Sequence, residues 1–417
     1  MKLLAIAEHF PSPYKPYHYV QFERFLKDGH ELSVYAFDQH EGGMGNGGEE
    51  GEFVRHTRYL PAIMRDAPKF LGESLGNLSR HPWRAVQRGV RAFGYRASFK
   101  HRCLNLARAL LLPAETPDVC IVHNLRAAAN LQFLRAIYPD AVIAMYYHGG
   151  ELPGVPVPSA ETVKATFDSF DVVFTNTQSS RQHAINRGQR PDRIVISPVG
   201  FDLRDFPDPR QRAYRRDGRL NVLMVGRLSE EKGFLFGLQA LKVLIEEGQN
   251  IQMRIAGDGP QRQQLASFIA EHGLGRHVEM LGRVEQEHLR RCYSEADVFL
   301  LPSVPRSTWE ENQACVVQEA LFMRGVAAVS RTGGVCESTA PAMLPYSFDP
   351  GSVEGTVASL RALAQLSEEQ LRELGTHGRR FVETRYDIRA LNRELLGTAA
   401  AYGRGSMDLA DTVTIGV

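Results

Sequence analysis

The sequence predicts an α/β protein made of two successive doubly wound parallel-sheet domains. Three observations lead there. Short, continuously apolar runs recur along the chain, as in strands buried on both faces. Segments with apolar residues at helical spacing separate those runs, an alternation that makes strands parallel and lays helices on both sheet faces. The alternation breaks once, over residues 199–218, and then restarts. A chain of 417 residues is long enough for two or three domains with full cores.

Taken in order, residues 2–7 (KLLAIA) read as the first strand. Residues 17–27 read as a helix stopped by Gly29-His30, and 31–37 as the second strand. Further strands are predicted over 118–123, 141–147, 171–176 and 193–197. Pro207, Pro209 and several charges make 199–218 read as a linker. Strands then follow over 220–225, 251–256, 277–281, 297–301 and 326–330, with a helix over 234–247. The chain closes with helices near 368–383 and 388–401. The expected division is a first domain over 1–198 and a second over 199–385. The last helix, about 386–402, is expected to return to the first domain, and 403–417 to be a loosely held tail. The stretch 41–52, with six Gly and four Glu, reads as a flexible loop.

The charge is balanced overall, 49 Lys and Arg against 48 Asp and Glu, for a formal net charge of +1. That excludes a chain basic or acidic throughout, but not segregation. The segment from Arg58 to Arg108 holds eleven Lys or Arg and two acids, a net charge of +9. It also carries Phe70, Trp83, Phe93, Tyr95 and Phe99. Pro82 suits a first helical turn, and the helix after it should be basic on one side and aromatic or aliphatic on the other. Such a stretch fits an anionic membrane surface. A solvated helical face is the plainer reading. A nucleic-acid patch is a third, with no nucleic-acid fold motif beside it, so no nucleic-acid partner is expected. No apolar run approaches the ~18 residues of a spanning helix. The N-terminal apolar run meets Glu8 too early for a secretory signal. Five scattered Cys form no CxxC pair, so a cytoplasmic protein with mostly buried, reduced thiols and no metal site is expected.

Five stretches could carry chemistry. In GRLSEEKG, Gly226 ends a strand, and Arg227 and Lys232 stand at the mouth of the next helix. Backbone N–H groups and the helix dipole there favour phosphate; an ordinary charged βα loop is the alternative. AGDGP places Gly257 and Gly259 after another strand, where backbone can approach a ligand or simply turn. Glu311 and Glu319 lie eight apart, and Glu319 sits beside Ala320 and Leu321, so its carboxylate needs a partner. TGGVCE follows a strand at the sheet end where open α/β sheets bind ligands, or is a plain turn. His148, in YYHGGE, ends a strand at the equivalent edge of the first domain, where an imidazole can act on a ligand or serve structure.

In this order the pieces resemble a GT-B-fold glycosyltransferase of family 4, the retaining, metal-independent class. The resemblance covers nearly the whole chain and is strongest from about 194 to 386. It implies two Rossmann-like domains facing a cleft, with the final helix crossing back. VGRLSEEKG is similar to the family's diphosphate motif, which implies Gly226, Arg227 and Lys232 as diphosphate ligands, and IAGDGP to the turn carrying Gly257 and Gly259. LGRV is similar to the loop at the base, implying Arg283 and Val284. ENQACVVQEA is similar to the Glu-x7-Glu element. It implies Glu311 at the donor sugar, Glu319 at the ribose, and Asn312, Ala314 and Cys315 beside them. HGGE resembles the position of a His that aids catalysis, here His148. The implied catalytic set is His148, Glu311, Arg227 and Lys232.

The sequence also departs from the family. No Gly-Gly turn follows the first strand; FPSPYKPYHYVQFERF is closer to the colanic-acid and exopolysaccharide subgroup. Asn312-Gln313 replaces the usual Gly-Phe, and Phe201 stands where a small apolar residue is usual. The implied activity is hexosyl transfer from a nucleoside diphosphate sugar to a lipid-linked saccharide, without a cofactor, at the cytoplasmic face of a membrane. A nucleotide-sugar epimerase of the same fold and a non-catalytic sugar-nucleotide-binding subunit are the alternatives.

Overall fold

The computed structural model describes residues 1–12, 16–38, 52–63, 66, 81–95, 97–149, 158–215, 218–307 and 309–403. Most of the glycine-rich 41–52 stretch, part of the cationic segment, the second half of HGGE and the tail lie outside them.

The first sheet holds β1 (Lys2–His9), β2 (Glu31–Asp38), β3 (Arg58–Tyr59), β4 (Val119–His123), β5 (Val142–Tyr147), β6 (Val172–Thr175) and β7 (Ile194–Ile196). Their order is β3-β2-β1-β4-β5-β6-β7, with every pairing parallel. The second holds β8 (Leu220–Val225), β9 (Ile251–Ala256), β10 (Val278–Gly282), β11 (Val298–Leu301) and β12 (Val326–Val329). Its order is β10-β9-β8-β11-β12, again all parallel. Central strands such as β4, β5 and β11 are buried at every residue, as their unbroken apolar runs require. This is the expected pair of doubly wound domains. The two-residue edge strand β3 was not expected; it lies inside the cationic segment and has no apolar run of its own.

The final helix, Ile388–Gly403, places Leu391, Leu395, Leu396 and Ala399 in the same core as Leu3, Ala5, Phe22 and Phe25. Asn392 Nδ2 also donates to the Gln21 carbonyl at 3.2 Å. The C-terminus thus crosses back onto the first domain, beside the outward crossover: Phe201 N donates to the Tyr386 carbonyl, and Ile388 N to the Phe201 carbonyl. Phe201 is accommodated by a ring cluster, 5.8 Å from Phe206 and 5.4 Å from Phe322.

Two expectations need correction. The 199–218 stretch, read as a linker, is bonded to the second domain through residues 208–214. Arg212 Nη1 donates to the Met323 carbonyl, Tyr214 Oη to the Arg324 carbonyl, and Asp208 pairs with Arg324 at 2.6 Å. Those bonds fasten it to the second domain. The thiols are also less buried than expected: Cys120 and Cys292 are buried, whereas Cys103, Cys315 and Cys336 are half-buried.

Candidate active site

The candidate site lies at the C-terminal ends of the strands, where the two sheets face each other, as the rule for open α/β sheets requires. In the second domain the β8 loop runs through Gly226 and Arg227 to a short turn, Glu230–Lys232. The helix Phe234–Glu246 follows. Lys232 Nζ pairs with Glu311 Oε2 at 2.5 Å, and Ser303 Oγ donates to the same oxygen at 3.0 Å. The ammonium also stands 5.5 Å from the Trp309 ring centroid. Both bonds fall on Oε2, so Oε1 keeps its acceptor capacity for a ligand hydroxyl. Arg227 Nη2 donates to Glu231 Oε1 at 2.7 Å, and Ser229 Oγ to the same atom at 2.6 Å. The guanidinium is half-exposed with its remaining donors available.

Gly257 and Gly259 allow a close approach of backbone to backbone. A Cβ on Gly257, whose φ is +145°, would stand 1.8 Å from the Gly226 carbonyl oxygen; one on Gly259 would crowd the Leu228 backbone. These glycines let the β8 and β9 turns pack backbone against backbone, which fixes the Arg227 loop. Gly333 acts likewise for Glu311. A Cβ there would stand 1.9 Å from the Glu311 carbonyl oxygen. Arg283 and Val284 follow the edge strand β10, two strands away from β8; Arg283 is exposed and Val284 packs against the core.

Glu319 lies in the helix Cys315–Phe322, where it accepts from Tyr293 Oη at 2.8 Å. Burial pushes its pKa up to about 7, against the lowering effect of the Tyr293 bond. This value lies above the ordinary carboxylate range, so ionisation costs the folded state. The stability contributed is full below the unfolded pKa and is lost as pH rises through about 7. Glu319→Gln should therefore stabilise the ligand-free protein at pH 8 by about 1–3 kcal/mol, an increment that fades by pH 5. Thermal unfolding at the two pH values checks this. An equal shift at both would mean that the gain has no electrostatic origin.

His148 comes from the other domain, at the end of β5. Its ring stacks on Tyr146 at 4.6 Å and 8°, and its Nε2 is 3.4 Å from His123 Nδ1. His18 completes a cluster in which one donor atom from each imidazole lies within 4.8 Å of the others. Three imidazoles are a chemically suitable donor set for a zinc-like ion. Sequence reasoning missed this group, because His18, His123 and His148 come from three separate elements.

The domains also meet through side chains. Asn312 Nδ2 donates to the His148 carbonyl, while Thr177 Oγ1 bonds Asn312 Oδ1 at 2.6 Å. Gln313 bonds both backbone groups of Val199, at 2.6 and 2.8 Å, where the chain leaves the first domain. Glu337 accepts from Gln178 N at 2.6 Å and Ser179 N at 3.0 Å, across the cleft at the start of the helix Gln178–Asn186. A carboxylate there satisfies orphan N–H groups and the helix dipole. Asn312 is thus an interdomain residue, and Ala314 and Cys315 are at the entry of the Glu319 helix. Between the domains is a cavity of about 490 Å³ lined by Gly149, Ser179, His183, Trp309 and Glu311. A second, about 600 Å³, is lined by Arg227, Ser229, Pro260 and Gln264; both reach Arg306 and Ser307.

This arrangement offers two cations and a carboxylate with an open oxygen in an interdomain cleft. Residues 205–381 match the family model described as glycosyl transferases group 1. The chain carries a group 1 glycosyl transferase domain. It is 24% identical over 413 residues to a protein of Salmonella typhimurium assigned to colanic acid biosynthesis as the glycosyltransferase WcaL, covering 95% of this chain and 98% of that one. Its counterpart in Escherichia coli is 28% identical over 402 residues, covering 93% and 96%. Among solved structures, the Anabaena protein HepE in complex with UDP aligns with a TM-score of 0.68 at 15% identity, over 96% of this chain and all of that one. That likeness agrees with the GT-B arrangement of the group 1 domain and its partner sheet.

Proposed function

We propose that this protein is a retaining, metal-independent glycosyltransferase of family 4. In this reading it moves a hexosyl group from a nucleoside diphosphate sugar to a lipid-linked saccharide in exopolysaccharide or lipopolysaccharide biosynthesis. The WcaL relatives support the pathway, and the UDP held by HepE supports a nucleotide donor. The observation that carries the reading is the partly buried Lys232–Glu311 pair, its lysine on the loop that carries Arg227, across the cleft from the domain of His148.

The difficult event is departure of a diphosphate. Arg227 and Lys232 offset the negative charge that grows on it, and the helix N-terminus adds its dipole. Lys232 has three N–H donors, so it can hold Glu311 and still meet a phosphate oxygen. Glu311 Oε1 orients the sugar through a hydroxyl, and Glu319 accepts from the ribose. The bond from the anomeric carbon to the phosphate oxygen breaks as the acceptor oxygen bonds from the same face. The acceptor proton passes to the departing phosphate. His148 orients the sugar beneath this step. On the acceptor side, a cavity of about 540 Å³ at the ends of β1, β2 and β3 is lined by Glu8, His9, Asp38, Tyr59 and Arg126, a polar lining suited to a saccharide.

A thermal-shift series with uridine and guanosine diphosphates and their sugar derivatives tests donor binding. One nucleotide should raise the melting temperature in wild type and much less in Arg227→Ala. Absence of any shift across the series removes the donor reading. Transfer should also survive EDTA unchanged. Loss of activity restored by zinc would give the His18–His123–His148 cluster an ion that the reaction requires.

A further inference from the structure

The cationic segment divides into a buried part and an exposed part. Arg88 and Arg108 do not contribute to any surface. Arg88 Nη2 donates to the Ala109 and Leu112 carbonyls at 2.8 and 3.1 Å. Arg108 donates to the Pro61, Ala62 and Asn130 carbonyls at 2.8 to 3.0 Å. They are internal ties that hold the helix Pro82–Gly94 and the helix Phe99–Leu111 to the domain.

The helix Pro82–Gly94 is placed against the usual logic of amphipathic packing. Its buried residues are Ala85, Arg88, Gly89 and Ala92, three of them small. Its bulky apolar residues point outward: Trp83 is 80% exposed, Val90 66% and Val86 48%. Positions 83, 86 and 90 share one helical face. Phe99, 72% exposed, extends the patch from the next helix, with its ring edge-on to Phe93 at 6.1 Å. Arg84, Arg91 and Lys100 are exposed around it. No exposed acid lies on either helix between residues 82 and 111. A folded domain gains nothing from exposing a Trp, two Val and a Phe together unless something covers them.

We infer that this face is a membrane-docking surface for an anionic bilayer. Trp83, Val86, Val90 and Phe99 enter the headgroup boundary, while Arg84, Arg91 and Lys100 meet lipid phosphates. Charge selects the occupant: a cationic rim with no acid on either helix, the nearby Glu115 being paired with Lys2, complements anionic headgroups and repels a second copy of the same rim. The inference deepens the lipid-linked acceptor reading and rests on it for its purpose, since an enzyme with that acceptor works at a bilayer.

The test is flotation of the full chain with phosphatidylglycerol–phosphatidylcholine vesicles and with phosphatidylcholine vesicles alone. Wild type should float with the anionic vesicles, less at high salt, and scarcely with the neutral ones. Arg84→Gln with Arg91→Gln should weaken partition by about 10–30-fold, from ~1 kcal/mol per cation. Trp83→Ala with Val90→Ser should weaken it by at least about tenfold, and Trp83→Phe should retain most of it. Nucleotide-induced thermal shifts should be unchanged in every variant, which shows that they fold. Partition that ignores these substitutions overturns the inference. So does a concentration-dependent dimer abolished by Trp83→Ala, which would make the face an interface between copies. Failure of flotation with intact transfer to a detergent-dispersed acceptor removes the docking surface alone. Intact flotation without any transfer removes the acceptor reading instead.

Discussion

Lys232→Ala should lower turnover by about 10²–10³-fold, the scale of losing one preorganised contact to developing charge. The geometry gives the reason. The ammonium is largely shielded from water, sits 2.5 Å from Glu311 and borders the Arg227 loop. A partly buried ion pair keeps both members aimed before substrate arrives, so little reorganisation is needed when the leaving group departs. Removing Lys232 also strands Glu311, whose Oε2 keeps only the Ser303 hydroxyl, and an uncompensated carboxylate repels diphosphate. Affinity for the free nucleotide should fall along with turnover. Lys232→Arg should restore little, because a planar fork cannot take the place of a compact ammonium against one carboxylate oxygen. Steady-state rates with purified donor and acceptor decide the matter. Turnover unchanged in Lys232→Ala removes this residue from the chemistry.

Gly257→Ala should cost about 3 kcal/mol or more and disable donor binding together with folding of the second sheet's ligand edge. The added methyl would lie 1.8 Å from the Gly226 carbonyl oxygen, a backbone atom that no side-chain rotation can move aside. A φ of +145° adds strain for any residue with a Cβ. Gly226 N donates to the Ala256 carbonyl, Gly257 N to the Gly282 carbonyl, and Leu228 N to the Asp258 carbonyl. Pushing Gly257 away therefore disturbs three neighbouring turns and the Arg227 loop. Chemical denaturation with a nucleotide-binding readout checks this. A variant of wild-type stability would show that the two turns can separate without loss. Gly275→Ala, where a Cβ meets nothing within 4 Å, is the matched control.

Much of the fold was legible because its strands are buried on both faces. An unbroken apolar run such as VCIVH or VFLL leaves few other placements. The edge strand β3 was not, since two residues paired only to β2 carry no pattern. The linker misled for another reason: Arg212 and Arg324 look like surface charges in one dimension. Only the tertiary fold supplies the carbonyls and the carboxylate that hold them inside. The site divides similarly. Lys232 and Glu311 were legible as motif residues, but their pairing spans 79 positions. Gly257 and Gly333 were legible as turn glycines, while the backbone each packs against, Gly226 and Glu311, was not. Glu337 capping a helix of the opposite domain, and three histidines converging from three elements, left no local signal at all.

The same limit applies to charge. A segment of net charge +9 read as a helix basic on one side and aromatic or aliphatic on the other. The structure withdraws Arg88 and Arg108 into the interior and turns Trp83, Val86 and Val90 outward. What remains is an apolar patch with a basic rim, which is a more specific surface than charge counting suggested.

The most direct test of the central claim is nucleoside diphosphate release with a purified donor, with and without a lipid-linked saccharide acceptor, followed by determination of the product's anomeric configuration. The account predicts release only with acceptor present, and a new glycosidic bond of the same configuration as the donor. Sugar isomerisation or nucleotide release that needs no acceptor, or an inverted product, would contradict it.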